Sequence, residues 1–141
     1  MDNVASPSNI LVVDHDRDCL LLLVNMLESA GYRVRPLRDW EMALPAIHSE
    51  RPDVVLLDAA MPGMNIDDAC RQLKTDEQAG EILLILLSAS DTWTYKVSAF
   101  AAGVTDYLTK PLIQEEVLGR IRAHLSARTQ SRDSHTQPVA T

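Results

Sequence analysis

The segment Val-Val-Leu-Leu-Asp at 54–58 decides the fold, because an unbroken apolar run ends there in a single carboxylate. A run of this kind predicts a strand that is buried on both faces, as in a parallel sheet covered by helices. The sequence Met61-Pro62-Gly63, which is typical of a turn, follows almost at once. Because open α/β sheets bind their ligands at the carboxyl ends of the strands, Asp58 is a candidate site residue.

Three other predicted strands end in the same way, in a residue that can contact a ligand. The run at 10–13 leads to Asp14, the run at 82–87 leads to Ser88, and the run at 104–109 leads to Lys110. A further short strand is predicted at Arg33–Leu37, and stripes with helical spacing separate the runs, such as Leu20, Leu23 and Leu27. This alternation indicates βαβ units, and therefore an α/β fold with a parallel sheet and right-handed crossovers.

The composition is that of one ordinary globular domain. The chain has 141 residues, of which 46% are hydrophobic, which is enough for a core. Its net charge of −7 argues against direct binding to nucleic acids or anionic membranes. The longest apolar runs, such as that at 19–24, are far too short to span a membrane, and residues 1–3 do not begin a signal peptide. We expect a cytoplasmic protein whose cysteines are reduced thiols.

The two ends of the chain differ from its middle. Residues 1–8 and 127–141 are polar and show no apolar periodicity. Both segments are predicted to be disordered, and the second has the composition of a polar tail or linker. The predicted globular domain therefore comprises residues 9–126.

The four strand-end side chains suit the handling of a phosphoryl group. Two carboxylates repel a phosphate by about 4 kcal/mol per charge pair at contact distance near a protein surface. A bound Mg²⁺ removes this barrier because it bridges carboxylate and phosphate oxygens. A lysine supplies a counter-charge, a serine hydroxyl can donate a hydrogen bond, and an aspartate can accept the phosphoryl group covalently.

Five motifs carry these residues and their surroundings. They are Ile-Leu-Val-Val-Asp at 10–14, Pro-Asp-Val-Val-Leu-Leu-Asp at 52–58, Met-Pro-Gly-Met at 61–64, Leu-Leu-Ser-Ala at 86–89 and Asp-Tyr-Leu-Thr-Lys-Pro-Leu at 106–112. Over residues 9–126 they resemble the receiver domain of bacterial two-component response regulators. The resemblance implies a flavodoxin-like, doubly wound (βα)5 fold with a five-stranded parallel sheet of order 2-1-3-4-5.

The resemblance also implies a role for each site residue. It makes Asp58 the phospho-acceptor, Asp14 a metal-site carboxylate, Lys110 the phosphate-binding lysine, Ser88 the switch hydroxyl and Tyr107 the switch aromatic. The peptide bond between Lys110 and Pro111 is expected to be cis. The implied cofactor is Mg²⁺, and the implied partner is a histidine kinase or a phosphotransfer protein. The family also implies a homodimer through the fourth helix, the fifth strand and the fifth helix.

The sequence departs from the family pattern in two places. The family has a second acidic residue directly after the first, where this chain has His15. A neutral imidazole suits Mn²⁺ better than Mg²⁺, so His15 is a candidate ligand that would favour Mn²⁺. Two alternatives stay open: Asp16 supplies the missing ligand, or His15 is a loop residue beside a weakened metal site. Asn65-Ile66 replaces the usual Asp-Gly, which leaves the shape of the loop after Asp58 open.

Three classes of function are compatible with these residues. The first is a regulatory phosphate receiver without enzymatic activity, and the second is a receiver-like interaction domain that works without phosphorylation. The third is a haloacid-dehalogenase-like phosphatase, which Asp14-His15-Asp16 would fit. However, Arg17-Asp18 replaces the Gly-Thr of those phosphatases, no acidic pair follows Lys110 on a later strand, and the chain has no room for a cap. We therefore expect a phosphate receiver.

Overall fold

Five parallel strands form one sheet in the computed structural model, which describes residues 7–136. The strands are β1 (Asn9–Val13), β2 (Arg33–Leu37), β3 (Val54–Asp58), β4 (Leu83–Ser88) and β5 (Asp106–Thr109). Their order is β2-β1-β3-β4-β5, and each neighbouring pair is parallel. The predicted fold class and sheet order are therefore confirmed. The fifth strand begins at Asp106, slightly later than the predicted strand at 104–109.

Helices connect the strands. Within the described chain they are α1 (Arg17–Ser29), α2 (Ala43–Ser49), α3 (Ile66–Thr75), α4 (Trp93–Ala102) and α5 (Gln114–Thr136), with a 3₁₀ turn at Trp40–Met42 before α2. Side-chain oxygens of Asp16, Asn65 and Thr92 accept hydrogen bonds from first-turn amides of α1, α3 and α4. Each cap satisfies a backbone N–H group that has no partner inside its helix.

The strands β1 and β3 are buried at every residue, which explains their continuous apolar sequences. Successive side chains of a strand point to opposite faces, and each face here has its own apolar cluster. One cluster joins Leu11, Val55 and Leu57 to residues of α2, α3 and α4. The other joins Ile10, Val12 and Leu56 to residues of α1 and α5. The polar residues that follow these strands therefore stand on a rigid apolar base.

The loop between β3 and α3 has a defined shape although Asn65-Ile66 replaces the usual Asp-Gly. Met61 is buried in the core, and its carbonyl accepts a hydrogen bond from the Met64 amide at 3.2 Å. Gly63 has a φ of 72°, a left-handed conformation that favours glycine. Asn65 then caps α3, and Ile66 is the first residue of that helix. The loop therefore turns at Gly63, and no glycine is needed after Asn65.

The last helix extends beyond the predicted domain boundary. It continues through Thr136, so it includes residues 127–136, for which the sequence predicted a polar tail or linker without regular structure. Alanine and arginine favour helices, and the first proline after the start of α5 is Pro138, so the sequence offers no strong stop before it. Residues 1–6 and 137–141, also predicted to be disordered, lie outside the described residues. Among the described helices, none has the length and apolar content to cross a membrane.

Candidate functional site

Three charged side chains meet at the carboxyl ends of the strands. Asp14 follows β1, Asp58 ends β3, and Lys110 follows β5. The Lys110 Nζ atom lies 3.1 Å from Asp14 Oδ2 and 3.5 Å from Asp58 Oδ1. Both carboxylate residues are buried, with 0% of Asp14 and 1% of Asp58 exposed. One ammonium group therefore faces two carboxylates that are largely removed from water.

Backbone contacts hold these side chains in place. Asp58 Oδ1 accepts a hydrogen bond from the Ala60 amide at 3.1 Å, which fixes the carboxylate against the start of the following loop. The Lys110 amide donates to the Ser88 carbonyl at 2.7 Å, which ties the end of β5 to the end of β4. The Lys110–Pro111 peptide bond is cis, as the resemblance implied.

The charges of Asp58 and Lys110 stabilise each other. Burial alone would raise the pKa of Asp58, but the Ala60 amide, His15 and Lys110 help to hold this pKa below its usual value. Burial alone would lower the pKa of Lys110, but Asp14 and Asp58 keep it above its usual value. At neutral pH Asp58 is therefore an ionised carboxylate, and so a nucleophile, next to a protonated lysine.

The His15 ring completes a group of three side chains that can hold a metal. Its Nδ1 atom lies 2.6 Å from Asp58 Oδ2 and 3.9 Å from Asp14 Oδ1. Ligand atoms of the three residues all lie within 4.8 Å of one another. The His15 side chain is 43% exposed, so its remaining surface faces solvent. The structure thus brings His15 into the site and does not turn it away as a loop residue.

Asp16, the alternative ligand, lies outside this group. Its Oδ1 atom accepts hydrogen bonds from the amides of Asp18 and Cys19 at 3.0 Å and 3.3 Å, so its side chain is engaged as the N-cap of α1. A carboxylate in this position compensates the positive end of the helix dipole. Asp14 therefore lies in the site, whereas Asp16 caps α1. The phosphatase alternative needs both acids of Asp14-His15-Asp16 in one site, so this arrangement gives it no support.

The two candidate switch residues lie beside the site on neighbouring strands. Leu87 pairs with Asp58 across the sheet, so Ser88 is the next residue beyond that pair. Ser88 is 6% exposed and Tyr107 is 5% exposed. The Tyr107 hydroxyl donates a hydrogen bond to the Ser90 carbonyl, which keeps the ring directed into the protein. Tyr107 therefore occupies an inward orientation in this structure.

Cavities flank the site on both sides. One, of about 440 Å³, is lined by residues that include His15, Trp40 and Met61. The other, of about 500 Å³, is lined by residues that include Lys110 and Leu112. These cavities reach His15 and Lys110, so open space adjoins both residues.

A family model described as the response regulator receiver domain matches residues 10–122. The chain belongs to this family. Receiver domains are regulatory modules that receive the signal in a phosphorelay, and they interact with histidine kinases or phosphotransfer proteins. They generally bind Mg²⁺ at an acidic pocket, which here corresponds to the cluster that contains Asp14 and Asp58. The predicted family and its signalling function are therefore confirmed.

Relatives of known name support this membership. The response regulator MprA of Mycolicibacterium vanbaalenii is 40% identical over 123 residues, which are 87% of this chain and 52% of MprA. The chain thus spans about half the length of such relatives. The BeF3-activated DrrB receiver domain is 31% identical with a TM-score of 0.75, and the match covers 85% of this chain and 98% of that one. The chemotaxis response regulator CheY4 of Vibrio cholerae is 25% identical with a TM-score of 0.78, with 83% and 98% covered.

Several residues around the receiver site were not predicted from the sequence. Arg38 Nη2 donates to the His15 carbonyl at 3.2 Å, and no sequence pattern indicates this contact. Lys96 Nζ lies 5.5 Å from the centre of the Tyr107 ring, within the range of a cation–π interaction. Ser90 contacts Ser88, and the alternation of hydroxyl residues from 88 to 92 was the available signal. Each of these residues supports a predicted site residue and does not replace one.

Proposed function

We propose that Asp58 accepts a phosphoryl group from a histidine kinase or a phosphotransfer protein, and that Lys110 and Ser88 contact the transferred group. The observation that carries this proposal is the position of Lys110 Nζ, 3.1 Å from Asp14 and 3.5 Å from Asp58. A buried, ionised carboxylate next to a lysine is a nucleophile with a counter-charge for phosphate already in place.

In the transfer step a carboxylate oxygen of Asp58 attacks the phosphorus of a donor phosphohistidine. The new O–P bond forms while the P–N bond breaks, and the imidazole nitrogen of the donor keeps the electron pair. Oδ1 is the Asp58 oxygen near Lys110, whereas Oδ2 contacts His15. Lys110 compensates the negative charge of the phosphoryl oxygens by its fixed position, without transferring a proton.

The acidic residues fit a divalent metal. Asp14 Oδ2 is buried and accepts no well-oriented hydrogen bond within the described chain, so it retains lone pairs for a cation. Asp14, Asp58 and His15 would hold the metal, which would supply positive charge to compensate the carboxylates and the phosphoryl group. Because one of these three groups is an imidazole, we propose that Mn²⁺ binds better relative to Mg²⁺ here than at a site of acids alone.

Intact-mass spectrometry tests the phospho-acceptor. The chain is incubated with a small phosphate donor and either Mg²⁺ or Mn²⁺, beside the matched variant Asp58→Asn. We expect the mass of one phosphoryl group to be added to the wild-type chain and none to the variant. Equal incorporation in both chains would refute the assignment of Asp58. No incorporation with either metal would favour a receiver-like interaction domain that works without phosphorylation.

The exposed face of α4 supports a role in self-association. Trp93, Val97 and Phe100 share one stripe of this helix and are 79%, 50% and 46% exposed. We propose that phosphorylation strengthens a homodimer formed through α4, β5 and α5. Sedimentation with and without beryllofluoride, a phosphate mimic, tests this proposal. A monomer in both conditions, or a dimer that is unaffected by Ser88→Ala, would contradict it.

The proposed role is regulatory and not enzymatic. We propose that the chain is cytoplasmic, and the net charge of −7 supports our further proposal that it does not bind nucleic acid or a membrane surface directly. The electrophoretic mobility of a random DNA duplex at low salt tests the proposal that the chain does not bind nucleic acid, because non-specific binding depends on positive charge. A retarded duplex at micromolar protein would contradict it.

A further inference from the structure

His15 gives the site a set of metal ligands that carboxylates alone do not provide. The buried carboxylates of Asp14 and Asp58 offer oxygen, and the imidazole offers nitrogen. In the part of the chain that the structure describes, no other three histidine, cysteine or acidic residues bring ligand atoms within 4.8 Å of one another. Two carboxylates and one imidazole are ligands that Zn²⁺ accepts, whereas Mg²⁺ prefers oxygen alone. The ligand set therefore favours Zn²⁺ over Mg²⁺.

The distances within this group suit a four-coordinate metal. Zn²⁺ binds nitrogen and carboxylate oxygen at about 2.0–2.2 Å, so neighbouring ligand atoms of a tetrahedral site lie about 3.3 Å apart. His15 Nδ1 lies 2.6 Å from Asp58 Oδ2 and 3.9 Å from Asp14 Oδ1, on either side of that value. Since 43% of the His15 side chain is exposed, its ring is free to make the small shift that equalises the two distances.

The backbone around His15 is held in place, which limits the entropy that metal binding costs. The Asp14 amide donates to the Leu37 carbonyl at 3.0 Å, and Arg38 Nη2 donates to the His15 carbonyl at 3.2 Å. On the side of the imidazole, a cavity of about 440 Å³ connects the group to solvent. The ligands are therefore positioned before the metal arrives, and a hydrated ion can reach them.

We infer that Asp14, His15 and Asp58 form a Zn²⁺ site, and that Zn²⁺ bound there prevents Asp58 from accepting a phosphoryl group. The second half of the inference rests on the proposed function. Octahedral Mg²⁺ with three protein ligands keeps positions that phosphoryl oxygens can take, whereas tetrahedral Zn²⁺ with the same three ligands keeps a single position. A Zn²⁺–carboxylate bond also withdraws electron density from Asp58, which makes this carboxylate a weaker nucleophile.

A titration with Co²⁺ tests the metal site without any phosphate donor. Tetrahedral Co²⁺ absorbs visible light far more strongly than the six-coordinate hydrated ion, and Zn²⁺ removes the absorption when it displaces Co²⁺. We compare the wild-type chain with His15→Asp, which replaces the nitrogen ligand by a third carboxylate. The matched control is His48→Gln, because His48 is also exposed and its Nε2 atom lies 2.8 Å from a carboxylate oxygen of Asp76.

In the wild-type chain and in His48→Gln we expect strong absorption that one equivalent of Zn²⁺ removes. In His15→Asp we expect weak absorption and a Zn²⁺ affinity that is lower by about tenfold or more, since even the loss of a group that only orients a metal ligand costs about 10–100-fold. Weak absorption in the wild-type chain, or strong absorption that persists in His15→Asp, would overturn the Zn²⁺ site.

Intact-mass spectrometry then tests the regulation. Each chain is incubated with a small phosphate donor and excess Mg²⁺, with and without one equivalent of Zn²⁺. We expect Zn²⁺ to reduce incorporation severalfold in the wild-type chain and in His48→Gln, but to have little effect in His15→Asp. Equal incorporation with and without Zn²⁺ in the wild-type chain would overturn the inhibition. No incorporation with Mg²⁺ alone would instead contradict the proposed function and the inhibition with it, while the Co²⁺ titration would still decide the Zn²⁺ site.

Discussion

Replacing Lys110 with methionine tests the electrostatics of the site in the absence of phosphate. The change keeps an apolar stem of similar length and removes the ammonium group that lies 3.1 Å from Asp14 and 3.5 Å from Asp58. Removing one partner of a fully buried ion pair costs about 3–5 kcal/mol. Since the Lys110 side chain is 21% exposed, water screens part of the loss, and we expect Lys110→Met to lower the free energy of unfolding by about 2–3 kcal/mol at pH 7.

The pH dependence of this loss follows from two shifted pKa values. The pKa of Asp58 is lowered by folding, so its contribution is present above the unfolded value of about 4 and is lost as the pH falls through the folded value. The pKa of Lys110 is raised, so its contribution is present below the unfolded value of about 10.4 and is lost as the pH rises through the folded value. The difference between wild type and variant should therefore be largest between about pH 4 and pH 10.

Urea denaturation in metal-free buffer measures the effect. The matched control is Lys74→Met, an exposed lysine on α3, for which we expect a change within about 0.5 kcal/mol. Adding Asp14→Asn to Lys110→Met should recover most of the lost stability, because it removes one of the two uncompensated charges. If Lys110→Met and Lys74→Met unfold at the same urea concentration, or if Asp14→Asn restores nothing, the claim that Lys110 compensates buried carboxylates is wrong.

Three further changes test neighbouring parts of the structure. Burial would raise the pKa of Asp106, but contacts with His124 and Arg120 help to lower it, so its stabilisation is present above the unfolded pKa and lost in acid. Urea denaturation of Asp106→Asn should show a loss of about 1–3 kcal/mol at pH 7 that becomes smaller as the pH falls below about 4; a loss that is independent of pH down to strong acid would count against this. Asp16→Ala should cost about 1 kcal/mol as a lost helix cap without changing Mn²⁺ affinity, and a large fall in that affinity would place Asp16 in the metal site. His15→Asp should raise Mg²⁺ affinity relative to Mn²⁺ in calorimetric titrations, whereas an unchanged ratio would exclude His15 as a ligand.

The fold and the convergence of the candidate site residues could be predicted because double burial leaves a strong pattern in the sequence. A strand covered on both faces, such as that ending at Asp58, has no polar position until its end. Parallel strands then bring their carboxyl ends to one side of the sheet, so Asp14, Asp58 and Lys110 had to converge. The order and direction of the strands are enough to bring these three residues together.

The remaining features depend on conformations that the residue pattern does not specify. Whether His15 turned towards Asp58 depends on a side-chain rotamer in a loop, and its supporting contact with Arg38 involves the backbone of His15. The extent of α5 past residue 126 reflects weak helix propensities that an apolar pattern does not report. The contacts of Ser90 with Ser88 and Tyr107 also depend on backbone groups, which every residue type possesses.

The identity of the phosphorylated residue is the most direct test of the whole account. Borohydride reduces an aspartyl phosphate to homoserine, and tandem mass spectrometry of the digested chain locates that homoserine. After treatment with a small phosphate donor and a divalent metal, the account predicts homoserine at position 58 and aspartate at position 14. Homoserine at position 14, or a phosphorylated chain without homoserine at position 58, would contradict it.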